Sequence, residues 1–171
     1  ITSNGLNGNL PIEIGLLTDL GHLELRDNEL TGTIPAEFAD LSRLEYLDLS
    51  NNVLDGSLPD FIGSLTNLRT LNMANNNFVG HVPDGVYQLS QLRNINLSWN
   101  ELRGSIGEAL GNLSHLNVLD LRENEFHGSI PKSLTSLSSL ENLHLDNNNF
   151  SGELPNSPFF FYNIVQVTIA N

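Results

Sequence analysis

Several side chains in this sequence are of the types that acid–base, nucleophilic or metal chemistry requires, and they recur at one interval. Glu24 and Asp48 are carboxylates 24 residues apart. Asp120 and His144 have the same separation, Asp146 follows His144 by two residues, and Ser98 shares the phase of Asp146. If that interval sets them on adjacent strands, they lie ~4.8 Å apart. That is close enough for a shared proton, a Ser/His/Asp relay or a divalent ion. Each chemistry asks for more than adjacent types. A relay needs a nucleophile within reach of its base and an oxyanion hole. A metal needs a converging ligand set. Nothing in the sequence supplies these, and there is no Gly-rich phosphate loop. We therefore expect no catalytic residue, no bound metal and no cofactor. Trp99, the only Trp, stands apart, because its phase otherwise holds Asn, Asp and Glu. An exposed aromatic there would suit a binding anchor; a ring lying flat on its neighbours would be packing.

What positions these residues is a 24-residue repeat without insertion or deletion. Asn4, Asn28, Asn52, Asn76, Asn100, Asn124 and Asn148 form one column. Gly8, Gly32, Gly56, Gly80, Gly104, Gly128 and Gly152 form another. Pro11, Pro35, Pro59, Pro83, Pro131 and Pro155 form a third, broken only by Gly107. A fixed period of this length is the signature of a solenoid. Counting Leu20 as a first position, the fourth and sixth positions are aliphatic (Leu47 and Leu49, Leu119 and Leu121). That period-two spacing predicts one short strand per repeat, and stacked repeats make a parallel sheet. The Asn column is predicted to be a structural ladder that satisfies backbone groups where the chain leaves the sheet. An aliphatic residue before Pro implies a second extended segment, and apolar pairs such as Phe38 with Leu41 imply one helical or 3₁₀ turn on the return path. Hydroxyls at Ser42, Thr66, Ser90, Ser114 and Ser138 are expected to bond local backbone.

Seven basic against twenty acidic residues give a net charge of −13. That argues against nucleic acid and against an anionic membrane surface. No apolar run approaches the ~20 residues of a membrane helix, and cysteine is absent, so redox compartment is left open. N-x-S/T sequons make Asn96, Asn112 and Asn149 glycosylation candidates.

The L-x-x-L-x-L-x-x-N core followed by x-L-x-G-x-I-P-x-x-L-x-x-L resembles the plant-specific subclass of leucine-rich repeats. That subclass is found in receptor-like kinase ectodomains, receptor-like proteins and polygalacturonase-inhibiting proteins. The resemblance implies a right-handed α/β solenoid with a parallel concave sheet, short second strands and 3₁₀ or α turns on the convex side. Residues 1–171 are read as a single array of about seven repeats, an uncapped fragment of a longer array, since solenoid ends need a polar cap. Extra aromatics at Phe159, Phe160 and Tyr162 are read as a packing adjustment. The third, fifth, seventh and eighth positions are expected to face the concave surface. There Tyr46, Asn72, Asn96, Trp99, Arg122, Glu123, His144 and Asp146 are the candidate contacts for a protein or peptide ligand. No strand carries the Arg-x-Arg pair with which some relatives read a ligand carboxylate. By resemblance the segment is extracellular and non-catalytic. A secreted inhibitor of a cell-wall hydrolase and an ice-binding surface are the alternatives. Ice binding would want a uniform file of Thr or Asn, whereas the fifth and seventh positions mix charge signs and sizes.

Overall fold

A computed structural model describes residues 2–156 and 164–169. Ile1, Phe159, Phe160, Phe161, Tyr162 and Asn171 fall outside the described residues, and so does the expected aromatic adjustment. Within them the chain winds through β1 (Asn7–Asn9), β2 (His22–Glu24), β3 (Glu29–Gly32), β4 (Tyr46–Asp48), β5 (Val53–Ser57), β6 (Thr70–Asn72), β7 (Asn77–Gly80), β8 (Asn94–Asn96), β9 (Glu101–Gly104), β10 (Val118–Asp120), β11 (Glu125–Ser129), β12 (Asn142–His144), β13 (Asn149–Ser151) and β14 (Gln166–Thr168). Even-numbered strands form one parallel seven-stranded sheet and odd-numbered strands a second. Each register step is one repeat: Leu47 pairs with Leu71, and Leu71 with Ile95. The predicted solenoid is present, and the return turns are 3₁₀, as at Ala36–Asp40 and Asp60–Ser64.

The core is the stack of repeat-phase aliphatics. Leu44, Leu49, Leu68, Leu71, Phe38 and Phe78 are all fully buried. Burying a Leu or Phe side chain contributes about 1.5–3 kcal/mol, and every coil repeats that contribution against its neighbours. Pro11, Pro35, Pro59, Pro83 and Pro131 each precede a 3₁₀ turn and accept its first bond, as where Phe38 N donates to Pro35 O at 3.1 Å. Gly107 takes the same extended φ of −76° and its carbonyl accepts from Leu110 N. Its exception to the Pro column therefore leaves the backbone path unchanged.

The Asn column bridges coils through backbone. Asn100 Oδ1 accepts from Phe78 N at 3.0 Å, in the preceding repeat. Its Nδ2 donates to Met73 O at 3.0 Å, also in that repeat, and to Leu97 O and Ser98 O in its own. Asn52, Asn76, Asn124 and Asn148 repeat this pattern. Asn28 Oδ1 accepts from Leu6 N. Each of these amides bonds backbone of its own coil, of the preceding coil, or of both. Asn4 is exposed and donates to Thr2 O. The hydroxyl expectation is corrected at Ser42, Thr66 and Ser90, where the backbone N–H donates to the carbonyl two residues earlier.

Candidate functional site

The even-numbered strands β2 to β14 present the third and fifth positions in direct register: Tyr46 beside Thr70 and Asp48 beside Asn72, Asp120 beside His144. The fifth column is more buried than a solvated surface would be. Asp48, Asp120 and His144 are all buried, and a buried carboxylate needs partners. Asp48 has four donors: Ser50 N at 2.9 Å, Ser50 Oγ at 2.6 Å, Tyr46 Oη at 3.3 Å and Asn72 Nδ2 at 2.9 Å. Asp120 accepts from Arg122 N at 3.2 Å and pairs with the Arg122 guanidinium at 2.9 Å. Burial still pushes the Asp120 carboxyl above its ordinary value, against the pull of Arg122 and His144. Burial beside Asp48 likewise raises the Tyr46 phenol.

Glu24 is held by Arg26 at 2.7 Å and by His22 at 3.5 Å rather than sharing a proton with Asp48. Thr168 Oγ1 donates to Asp146 and is hydrogen-bonded to His144 Nδ1 at 2.9 Å. Ser98 Oγ donates to Asn96 Oδ1 at 2.7 Å, away from any histidine. The side chains of the candidate relays are thus engaged in local hydrogen bonds and ion pairs. Among the described residues, no three His, Asp or Glu side chains converge on a metal position. His22, which is not among the candidate contacts, stacks on Tyr46, which is, with ring centroids 4.2 Å apart. Their shared column was the available signal.

The eighth column differs from the expected concave placement. Its residues lie in the turn that leaves each strand, with left-handed backbone: φ is 58° at Asp27, 55° at Asn51, 53° at Asn75, 57° at Trp99, 55° at Glu123 and 52° at Asn147. Asn and Asp tolerate that region, which accounts for their recurrence. Along the turn they form a second polar file: Asn51 Nδ2 donates to Asp27 at 2.6 Å, and Asn75 Nδ2 to Asn51 at 2.9 Å. The file stops at Trp99 and resumes where Asn147 donates to Glu123. Trp99 is 55% exposed. It borders an open groove of about 330 Å³ that reaches Glu101 and Glu125 on the second sheet. Arg122 is partly exposed, Asn72, Asn96 and Asp146 are half-buried and His144 is buried; the face thus holds Tyr46, Asn72, Asn96 and His144 in strands, with Trp99 and Glu123 at its margin.

A sequence model of the leucine-rich repeat region matches residues 3–110, and a single-repeat model matches 115–137 and 139–161. The chain belongs to the leucine-rich repeat family. No curated protein matches it. This leucine-rich repeat array is 44% identical to the crystal structure of a TDR receptor over 89% of its own length, with a TM-score of 0.88. It is 31% identical over 99% of its length, with a TM-score of 0.84, to the Arabidopsis receptor kinase HAESA, solved in complex with the peptide hormone IDA and the co-receptor SERK1. It is 25% identical over 94% of its length, with a TM-score of 0.65, to a plant ice-binding protein. The array spans 26% of the first of these chains, 33% of the second and 67% of the third. Among its described residues no helix is long and apolar enough to cross a membrane.

Proposed function

We propose that this leucine-rich repeat array is an extracellular recognition segment of a receptor-like ectodomain, binding a peptide or protein along the concave face and the margin at Trp99, without a reaction of its own. Trp99 carries the reading: a bulky ring held exposed, on backbone that favours Asn, at a break in an otherwise continuous polar file. Aromatic side chains anchor interfaces because they bury large area at small entropic cost. Tyr46 and Arg122 flank the region from the third and seventh columns. The HAESA complex supports a peptide ligand by its likeness. The carboxylates that could have done chemistry are occupied by hydroxyl, amide and guanidinium donors. Of the sequons, Asn112 and Asn149 are exposed on the 3₁₀ turn Glu108–Asn112 and on β13, so glycans there leave the concave face open. Asn96 is half-buried within β8, its Oδ1 engaged by Ser98. The fold of the ice-binding relative is shared, but the columns here mix His22, Glu24, Arg26 and Asp48, which gives no uniform lattice-matching file.

The test is a displayed library of random peptides panned on the protein, with affinities of the enriched peptides measured by calorimetry. Trp99→Ala should weaken them by ~2 kcal/mol or more without lowering the thermal midpoint. Affinities unchanged in the triple variant Trp99→Ala, Tyr46→Ala, Arg122→Ala would overturn the site.

A further inference from the structure

We infer that the groove beside Trp99 takes a cationic side chain, Lys or Arg, of the partner, the indole and three glutamates together selecting its charge. This rests on the recognition reading above and names the chemistry of one contact within it. The groove runs from Trp99 at the turn to Glu101 at the start of β9, Glu123 at the next turn and Glu125 at the start of β11. Trp99, Glu101 and Glu125 are exposed, Glu123 half-buried. Among the described residues neither Glu101 nor Glu125 forms an ion pair. A guanidinium or ammonium set against an indole face gains from the ring quadrupole, and Trp is the strongest such partner. Carboxylates around the ring favour a positive group and repel an acidic one.

An organic cation fits better than a metal ion, because these carboxylates lie on separate turns and strands and no ligand set converges among the described residues. The whole chain, at −13, also draws a basic partner from a distance. The protein's own cations do not occupy the position. Arg122 pairs with Asp120, and Arg103, opposite Glu125 in the register of β9 and β11, forms no ion pair among the described residues. His127 shares the column of Arg103 one repeat on.

Trp99, as the only Trp, reports on its own groove. End-blocked Gly-Lys-Gly and Gly-Arg-Gly are titrated into the protein against the neutral Gly-norleucine-Gly and Gly-citrulline-Gly, following indole fluorescence. The cationic peptides should give a saturable change with affinity at least about tenfold above the neutral ones. Glu101→Gln with Glu125→Gln should weaken them about tenfold, and Arg103→Gln should tighten them. Glu13→Gln with Glu29→Gln, which removes the same charge elsewhere, should leave them unchanged. Equal response to neutral peptides, no saturable response, or equal loss in the two double variants would overturn the cation assignment. Library peptides that depend on Trp99 yet show no preference for Lys or Arg would sink this inference and leave the recognition reading standing. Library peptides indifferent to every concave substitution, alongside intact selection of Gly-Lys-Gly, would do the reverse.

Discussion

Left-handed backbone at φ 57° costs a bulky L-residue about 1–2 kcal/mol, and Trp99 adopts it where Asn51, Asn75 and Asn147 mark the ordinary solution. Trp99→Asn is therefore expected to raise stability by about 1 kcal/mol in urea denaturation, while removing the proposed binding anchor. A variant that gains nothing would mean that the ring recovers the cost by packing. Asp120 gives a second prediction. Its folded pKa is raised above the ordinary 3.8 by burial. The folded state then holds the proton more tightly than the unfolded chain, so stability falls as pH rises through that window, and the deficit is complete above the folded pKa. Asp120→Asn removes this term. The difference in thermal midpoint, variant minus parent, should climb as pH rises from below 3.8 to neutrality. A flat or falling difference would show that the Arg122 pair, not burial, dominates.

Coils are joined by two devices of very different legibility. The Asn column and its use for backbone groups could be read directly, because a fixed polar phase within an apolar repeat has few other uses; which amides and carbonyls it bonds, in which coil, could not be read, since sequence does not label backbone atoms. Asn100→Ala leaves Phe78 N and the carbonyls of Met73 and Leu97 without these bonds, and should cost ~1–3 kcal/mol. Asn4→Ala, at an exposed amide, should stay within about 0.5 kcal/mol. Equal effects in a paired thermal melt would remove the ladder's structural role. The second device is the close stacking of 3₁₀ turns, invisible in the repeat because its glycines are not one strict column. A Cβ on Gly63 would sit 2.8 Å from Gly85 Cα, a backbone atom that cannot rotate aside. Gly63→Ala should thus destabilise by ~1–3 kcal/mol through overpacking. Gly21→Ala, with Arg43 O at 3.8 Å, should be tolerated. The eighth column shows the opposite failure. Its Asn and Asp residues were placed on the ligand face, although their recurrence reported backbone geometry, and Trp99 and Glu123 are the exceptions that this geometry does not account for.

At the scale of the molecule, period and composition were sufficient for the architecture, because a solenoid repeats one local solution and each coil meets only its neighbours. The ligand was not legible, because the repeat constrains the inward and turn positions and leaves the outward ones free. Charge is the remaining global quantity. Twenty acidic residues face seven basic ones, and among the described residues Arg26, Arg43, Arg69 and Arg122 already have carboxylate partners. Most of the acidic charge is therefore unopposed and strung along a stack of coils, where it repels itself. Exposed ion pairs contribute ~0–1 kcal/mol each, so screening them costs little, whereas screening the long-range repulsion shrinks a term that sums over the chain. Raising NaCl from ~0.01 M to ~0.15 M shortens the Debye length from about 30 Å to about 8 Å. The thermal midpoint at neutral pH should rise over that range. The rise should vanish near pH 4.5, the sequence isoelectric point, where the net charge is gone. NaCl is the salt to use, because a strongly excluded anion such as sulfate would stabilise by strengthening apolar burial at either pH. A midpoint that falls with NaCl at neutral pH would mean that the few ion pairs outweigh the net charge, and that the acidic surface is already balanced within the coils.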